Sequence, residues 1–370
     1  MPQDLAVSAA PTRRAALAGV LGASAAAWQP KRVFGQSLRK VRFAIPWVPE
    51  GSNLQAYVAR NRGYWRRLGL DVEMSTGTGS NNAAQAIATG QFDIGFINAS
   101  TLPVMAARDL KLIAIGQCDY KTTMGIGVLD GSPIRRPKDL EGRKLGGAPT
   151  SSEFPYLPAY AAAAGVDMTK VELVQLDARV RETALLQRQV DAITGVGSTM
   201  LSQLVPRGEK LRVMLYADTG LDQLLGQTMV ATPEVIARDP GLVQAVVQGM
   251  MEATKFAALN FDESIEIFLR EVPEMALNPR AKEQVTLSLG ITQTMNLVPE
   301  VKAQGVGWMQ ADKYLRMWDL TQQFVTRTNT PRPPIETLMT NRFVGGVTYS
   351  DAEWTAIDAR LAPFKAYFSV

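Results

Sequence analysis

The sequence contains no histidine in 370 residues. That absence removes Ser-His-Asp and Cys-His catalysis, histidine-based zinc or iron sites and the commonest proton shuttle near neutral pH. Cysteine occurs once, at Cys118, so no disulfide can form within the chain. It follows the apolar run Leu112-Ile113-Ala114-Ile115 and reads as a small buried hydrophobe. No catalytic residue, metal ligand or cofactor site is therefore expected. A basic tract is also missing. The 39 basic and 35 acidic residues include Arg13, Arg14, Lys31, Arg32 and Asp4 near the N-terminus, which leaves 35 against 34 beyond it. Nucleic acid binding has no electrostatic footprint in so even a balance. Long, strongly apolar runs are absent too: residues 15–28 are mostly alanine and fall short of the roughly 20 apolar residues a membrane span needs.

What is present begins with Thr12-Arg13-Arg14, the alanine-rich run and the small-residue exit Val33-Phe34-Gly35. A paired arginine ahead of a weakly apolar segment fits a twin-arginine export signal over 1–35, cleaved near Gly35 to release a periplasmic product. The alternative is a retained anchor. The remaining length exceeds one ordinary core, so two lobes are expected.

The chain is organised around residues 41–98. Three apolar runs, Val41-Arg42-Phe43-Ala44-Ile45, Leu70-Asp71-Val72-Glu73-Met74 and Phe92-Asp93-Ile94-Gly95-Phe96-Ile97, alternate with two helical patterns. This is the signature of a strand-helix-strand-helix-strand unit with a parallel sheet, in which ligands bind at the carboxyl ends of the strands. The phrase Trp47-x-Pro49, then Gly63-Tyr64-Trp65, Gly69-Leu70-Asp71-Val72 and Gly90-x-Phe92-Asp93-x-Gly95, resembles the solute-binding proteins of ABC importers for nitrate, sulfonates, taurine and the thiamine pyrimidine precursor. The likeness runs from about 41 to 202.

That resemblance implies an α/β, two-lobed periplasmic binding protein of type II-like topology, each lobe a mainly parallel sheet flanked by helices, with the ligand cleft between the lobes. It also implies a small-molecule ligand, permease and ATPase subunits as partners, and a monomer. Lobe 1 is placed at 40–125 and 220–330, lobe 2 at 126–219, and a C-terminal helical tail at 331–370, with crossings near 125–127 and 217–226. Further strands are expected at 110–116, 171–176, 192–194, 211–215 and 227–231.

The loops at the strand ends supply the candidate site. Pro46 and Pro49 stiffen the loop presenting Trp47, which lies off the apolar stripe of the following helix and so faces either a cleft or a core. Ser52 and Gln55 have the spacing of a capping box, and Asn53 between them is a candidate ligand contact. Gly79, Ser80 and Asn81 open one helix, Asn98, Ser100 and Thr101 the next. In the second lobe Thr150, Ser151, Ser152 and Glu153, and then Gly195 and Ser198, occupy equivalent turns. Helix starts offer unpaired N–H groups suited to a carboxylate, sulfonate or electron-rich heteroaromatic edge. The serines equally suit simple helix capping. Glu153 either closes a capping box with Thr150 or turns inward, where it favours a ligand bearing N–H donors, such as an aminopyrimidine. The competing enzyme reading, a sulfinate-desulfinase-like or pyrimidine-synthase-like relative on the same fold, relies on histidine that this chain does not have.

Overall fold

The computed structural model describes residues 37–328 and 330–368; the expected export signal lies outside the described residues. Among the described residues ten strands form in chain order: β1 (Arg39–Ile45), β2 (Leu70–Thr76), β3 (Ile94–Asn98), β4 (Ile113–Gln117), β5 (Met124–Leu129), β6 (Lys144–Gly147), β7 (Glu172–Gln175), β8 (Ala192–Val196), β9 (Leu211–Leu215) and β10 (Gln227–Ala231). They build two five-stranded sheets, ordered β2-β1-β3-β10-β4 and β7-β6-β8-β5-β9. In each, four strands share one direction and the strand that has just crossed from the other lobe, β10 or β5, runs against its neighbours. The expected parallel sheets are thus mixed at one strand each. An extended segment entering from the far lobe arrives at the carboxyl ends and has to run backwards between its neighbours.

The first crossing occupies residues 118–123, upstream of the glycine-containing segment expected to carry it. Gly125 and Gly127 are already paired with Leu215 and Val213 in the second sheet. A Cβ on Gly125 would stand 2.7 Å from the Met214 carbonyl oxygen, so these glycines serve close strand packing and not a hinge.

Helices cover both sheets because their apolar stripes need a partner. The helix Pro240–Leu259 starts where the Asp239 carboxylate accepts from the Leu242 N–H, with Pro240 in its first turn. Gly249 in its middle costs about 1 kcal/mol of helix propensity relative to Ala, yet a Cβ there would meet Trp65 Cδ1 at 2.4 Å. The space goes to the Trp65 indole, which donates to the Val246 carbonyl at 3.0 Å and packs against Phe43, itself edge-on to Phe96. This cluster anchors β1 and β3, and with them the loops at their carboxyl ends. Among the described residues no helix is long and apolar enough to cross a membrane.

Candidate functional site

The carboxyl ends of β1, β2, β3, β6, β7 and β8 point into one cleft between the two sheets. It holds a cavity of about 750 Å³, part of it open to solvent. Its rim carries Trp47, half-buried, with the Arg181 guanidinium 5.5 Å from the ring centre. The indole thus belongs to the cleft and not to the core.

The loop after Trp47 is clamped from behind. Gly51 lies so close to the helix Ala281–Asn296 that a Cβ would stand 2.5 Å from the Val285 carbonyl oxygen, and the Ser52 N–H donates to Ser288 Oγ at 3.1 Å. At this helix start Asn53, and not Gln55, bonds back to the loop: the Glu50 N–H donates to Asn53 Oδ1 and the Asn53 N–H to the Glu50 carbonyl. The Ser52 hydroxyl instead donates to Glu50 Oε1 at 2.5 Å, and Thr199 reaches across from the other lobe to donate to the same oxygen at 3.0 Å. Burial pushes the Glu50 carboxyl up to about 7 despite these donors.

Opposite, Glu153 is fully buried and turned inward. No capping box forms with Thr150. Its Oε1 accepts from the Ser151 hydroxyl at 2.6 Å and lies 3.5 Å from Arg181. Burial raises its carboxyl, with Arg181 opposing the shift. Arg181 comes from the turn after β7 and is itself buried, with Glu182 at 2.5 Å as its nearer counter-ion. Gly195 makes room for it: a Cβ there would stand 2.8 Å from the guanidinium carbon. Gly195 therefore lies under Arg181 and not against the cavity. At the first crossing, Asp119 completes the set. The Gln227 N–H approaches its Oδ2 at 3.4 Å, and burial raises its carboxyl to about 8.

Of the residues singled out in the sequence, Trp47, Asn53, Ser80, Asn98, Ser151, Ser152, Glu153 and Ser198 line the cavity. Gly79, Asn81 and Thr150 do not; they meet one another across the lobes. The Asn81 N–H donates to the Thr150 carbonyl at 3.1 Å, the Thr150 hydroxyl to the Thr78 carbonyl at 2.6 Å, and the Asn81 amide to the Ser151 carbonyl at 3.1 Å. Ser100 and Thr101 lie behind the wall, where the Ser100 hydroxyl donates to Asn98 Oδ1 and its carbonyl accepts from the Tyr156 hydroxyl at 2.7 Å. None of the four serines caps its own helix: the Ser80 hydroxyl accepts from the Asn98 N–H, and the helix starts near Ser100, Ser152 and Ser198 have no side-chain cap bond.

The helix starts are also occupied. At Ser80–Ala88 the Asn81 N–H donates to the Thr150 carbonyl of the other lobe, and at Gly197–Leu204 the Gly197 and Ser198 N–H groups donate to Thr123 of the first crossing. Only the first of these bonds joins the two lobes. Sequence reasoning missed Glu50, Asp119, Arg181 and Thr199. Arg181 was within reach of the carboxyl-end rule applied to β7; Glu50 and Asp119 had no local signal.

Cys118 is buried, and desolvation with Asp119 beside it holds the thiol well above its ordinary range. A thiol reagent is expected to label it only in denaturant, and Cys118→Ser to cost about 1–2 kcal/mol for burying a hydroxyl while leaving ligand affinity unchanged. Rapid labelling of the folded protein would show instead an open, reactive thiol.

Two α/β lobes joined by two crossings, with a polar cavity between their strand ends, have the architecture of a solute-binding protein. The family model described as NMT1/THI5 like matches residues 52–264, and the chain belongs to that family. A protein of Brucella abortus named as a binding protein is 24% identical over 243 residues, covering 64% of this chain and 74% of its own. The riboflavin-binding protein RibY of Chloroflexus aurantiacus is 22% identical over 319 residues, 85% of this chain and 88% of its own. A 4-amino-5-hydroxymethyl-2-methylpyrimidine phosphate synthase of Schizosaccharomyces pombe is 22% identical over 228 residues, 59% and 65% of the two chains. Among solved structures, the alkanesulfonate-binding protein SsuA of Xanthomonas axonopodis pv. citri shares the fold at a TM-score of 0.62 and 16% identity, covering 83% of this chain and 99% of that one.

Proposed function

We propose that this chain is the periplasmic ligand-capturing subunit of an ABC importer, exported through a twin-arginine signal in residues 1–35, and that its ligand is a planar heteroaromatic molecule bearing N–H donors. It works as a monomer that delivers the ligand to permease and ATPase subunits, without a cofactor. One observation carries the ligand class: in the cavity that Trp47 lines, Glu50 and Glu153 each keep one oxygen, Oε2, without a hydrogen-bond partner. Buried acceptors without donors are costly, so the occupant is a molecule that supplies the donors. The crossings at 118–123 and 216–226 act as the hinge on which the lobes close.

Stacking on Trp47 contributes on the order of 1 kcal/mol beyond the area it covers. Trp47→Ala is therefore expected to weaken a 4-aminopyrimidine at least about tenfold, one decade being 1.4 kcal/mol, and to leave nitrate or taurine little affected. Titration calorimetry with these three compounds checks it. A melting temperature that falls sharply while affinity holds would return Trp47 to the core and remove the reading. The synthase reading has no support in the site: the chain has no histidine and its one thiol is buried.

A further inference from the structure

We propose that the ligand enters the cleft as a planar organic cation, its charge matched by Glu50, Asp119 and Glu153. The inference rests on the heteroaromatic reading above and adds the charge of the ligand to it. The three carboxyls come from three separate places: the loop after β1, the first crossing and the turn after β6. Glu50 is 6% exposed and Glu153 wholly buried; both residues line the cavity, and one oxygen of each has no hydrogen-bond partner. Asp119 is only partly buried; its Oδ1 is closed to solvent, with the Asn296 side chain beside the carboxyl.

Cations already on the wall do not balance them. Arg181 is held by Glu182 at 2.5 Å, closer than Glu153 at 3.5 Å. Lys121 is exposed at the mouth. Counting Glu182, four carboxyls face two cations. The neutral groups of Ser80, Asn98 and Ser152 can turn a donor or an acceptor to a ligand, so they do not choose its charge. Among the described residues no three acidic groups stand close enough together to hold a metal ion. An occupant that reaches all three carboxyls is thus an extended organic molecule with its positive charge spread over several N–H groups, as in an amidine or a protonated aminopyrimidine.

Burial acts on the same carboxyls. Glu50, raised to about 7, faces Ser52, Thr199, Glu182 and Arg181; Asp119, raised to about 8, faces the Gln227 N–H and Asn296, with Cys118 and Lys121 near it in sequence. In both cases burial is the main cause. A bound cation reverses that penalty and lowers both carboxyls, so binding expels protons. Affinity for a permanent cation then falls as pH drops below the empty-site values, through the window from about 8 to 6.

The test uses three planar probes of one shape and different charge, benzamidine, benzamide and benzoate, titrated calorimetrically into the full chain at pH 8 and pH 6. Phosphate and Tris buffers, which differ in ionisation enthalpy, give the proton count. Benzamidine is expected to bind at least about tenfold tighter than benzamide at pH 8, to release protons, and to lose about tenfold by pH 6, with benzoate weakest. Glu50→Gln and Asp119→Asn should each narrow the gap between benzamidine and benzamide; if either variant fails to fold, the wild-type ratio and proton count still decide. Benzamide binding as tightly as benzamidine in a Trp47-dependent way, or protons being taken up, overturns the cation inference alone. Failure of all three probes to bind in a Trp47-dependent way removes the heteroaromatic reading and this inference with it.

Discussion

Arg181→Met is expected to lower the melting temperature by about 5 °C. The guanidinium is buried between Glu182 at 2.5 Å and Glu153 at 3.5 Å, and its removal leaves both carboxyls without a counter-charge. Breaking a buried ion pair from one side costs roughly 3–5 kcal/mol, and in a protein of this size each kcal/mol moves the midpoint by about 1.5 °C. The loss should depend on pH with a definite sign. A carboxyl whose folded value is raised contributes stability that is full below its unfolded value and is lost as pH rises through the folded one. Glu153 is already raised by burial and would rise further without Arg181, so the variant should be closest to wild type near pH 5 and furthest from it near pH 8. Pairing Arg181→Met with Glu182→Leu should recover part of the loss, because the ion pair is then replaced by apolar contact and not merely broken. Differential scanning calorimetry across that range decides the matter; a drop of less than about 2 °C at pH 8 would mean that the carboxyls are solvated and the cleft is not the charged enclosure described above.

Gly79→Ala is expected to hold the lobes apart. Gly79 has φ 150° and ψ 155°, a region that only glycine enters freely, and a Cβ there would fall 2.1 Å from the Thr150 carbonyl oxygen in the opposite lobe. The three hydrogen bonds by which Thr78 and Asn81 meet Thr150 and Ser151 across the cleft depend on that approach. At about 1 kcal/mol each their loss weakens capture by roughly a hundredfold. Asn81→Ala, which keeps the backbone bond, should cost about tenfold. Small-angle scattering should find Gly79→Ala extended even at saturating 4-aminopyrimidine. An unchanged profile together with unchanged affinity would mean that closure does not pass through this contact.

Much of the architecture was legible because it is locally encoded. β2 begins at Leu70 as its alternation requires, β9 and β10 occupy the segments read as extended, and the helix Pro240–Leu259 carries its start signal in Asp239-Pro240. The turn residues Ser80, Asn98, Ser151, Ser152 and Ser198 reach the cavity because strand ends converge in any sheet pair of this topology. The charge of the site was not legible. Glu50 and Arg181 look like ordinary solvated residues in their own neighbourhoods; they are buried only because Gly51 lets one loop sink onto a helix more than two hundred positions away, and Gly195 opens a slot for the other. Gly79 was read as a cradle for a ligand edge when its missing side chain serves the partner lobe. Proximity across the cleft is a property of the whole assembly, and no window of sequence contains it.

The place of β10 in its sheet also sets an order of assembly. Its Thr228 bonds to Gly116 across 112 positions, and until 227–231 arrive β3 and β4 have no strand between them. The second sheet needs nothing from outside 124–215. Once that inner part has formed, its two ends are already adjacent, with the Gly226 N–H donating to the Asp119 carbonyl at 3.1 Å. The long loop closure that would slow insertion of β10 is thereby reduced to a local one, so the lobe begun first by the chain is the lobe completed last.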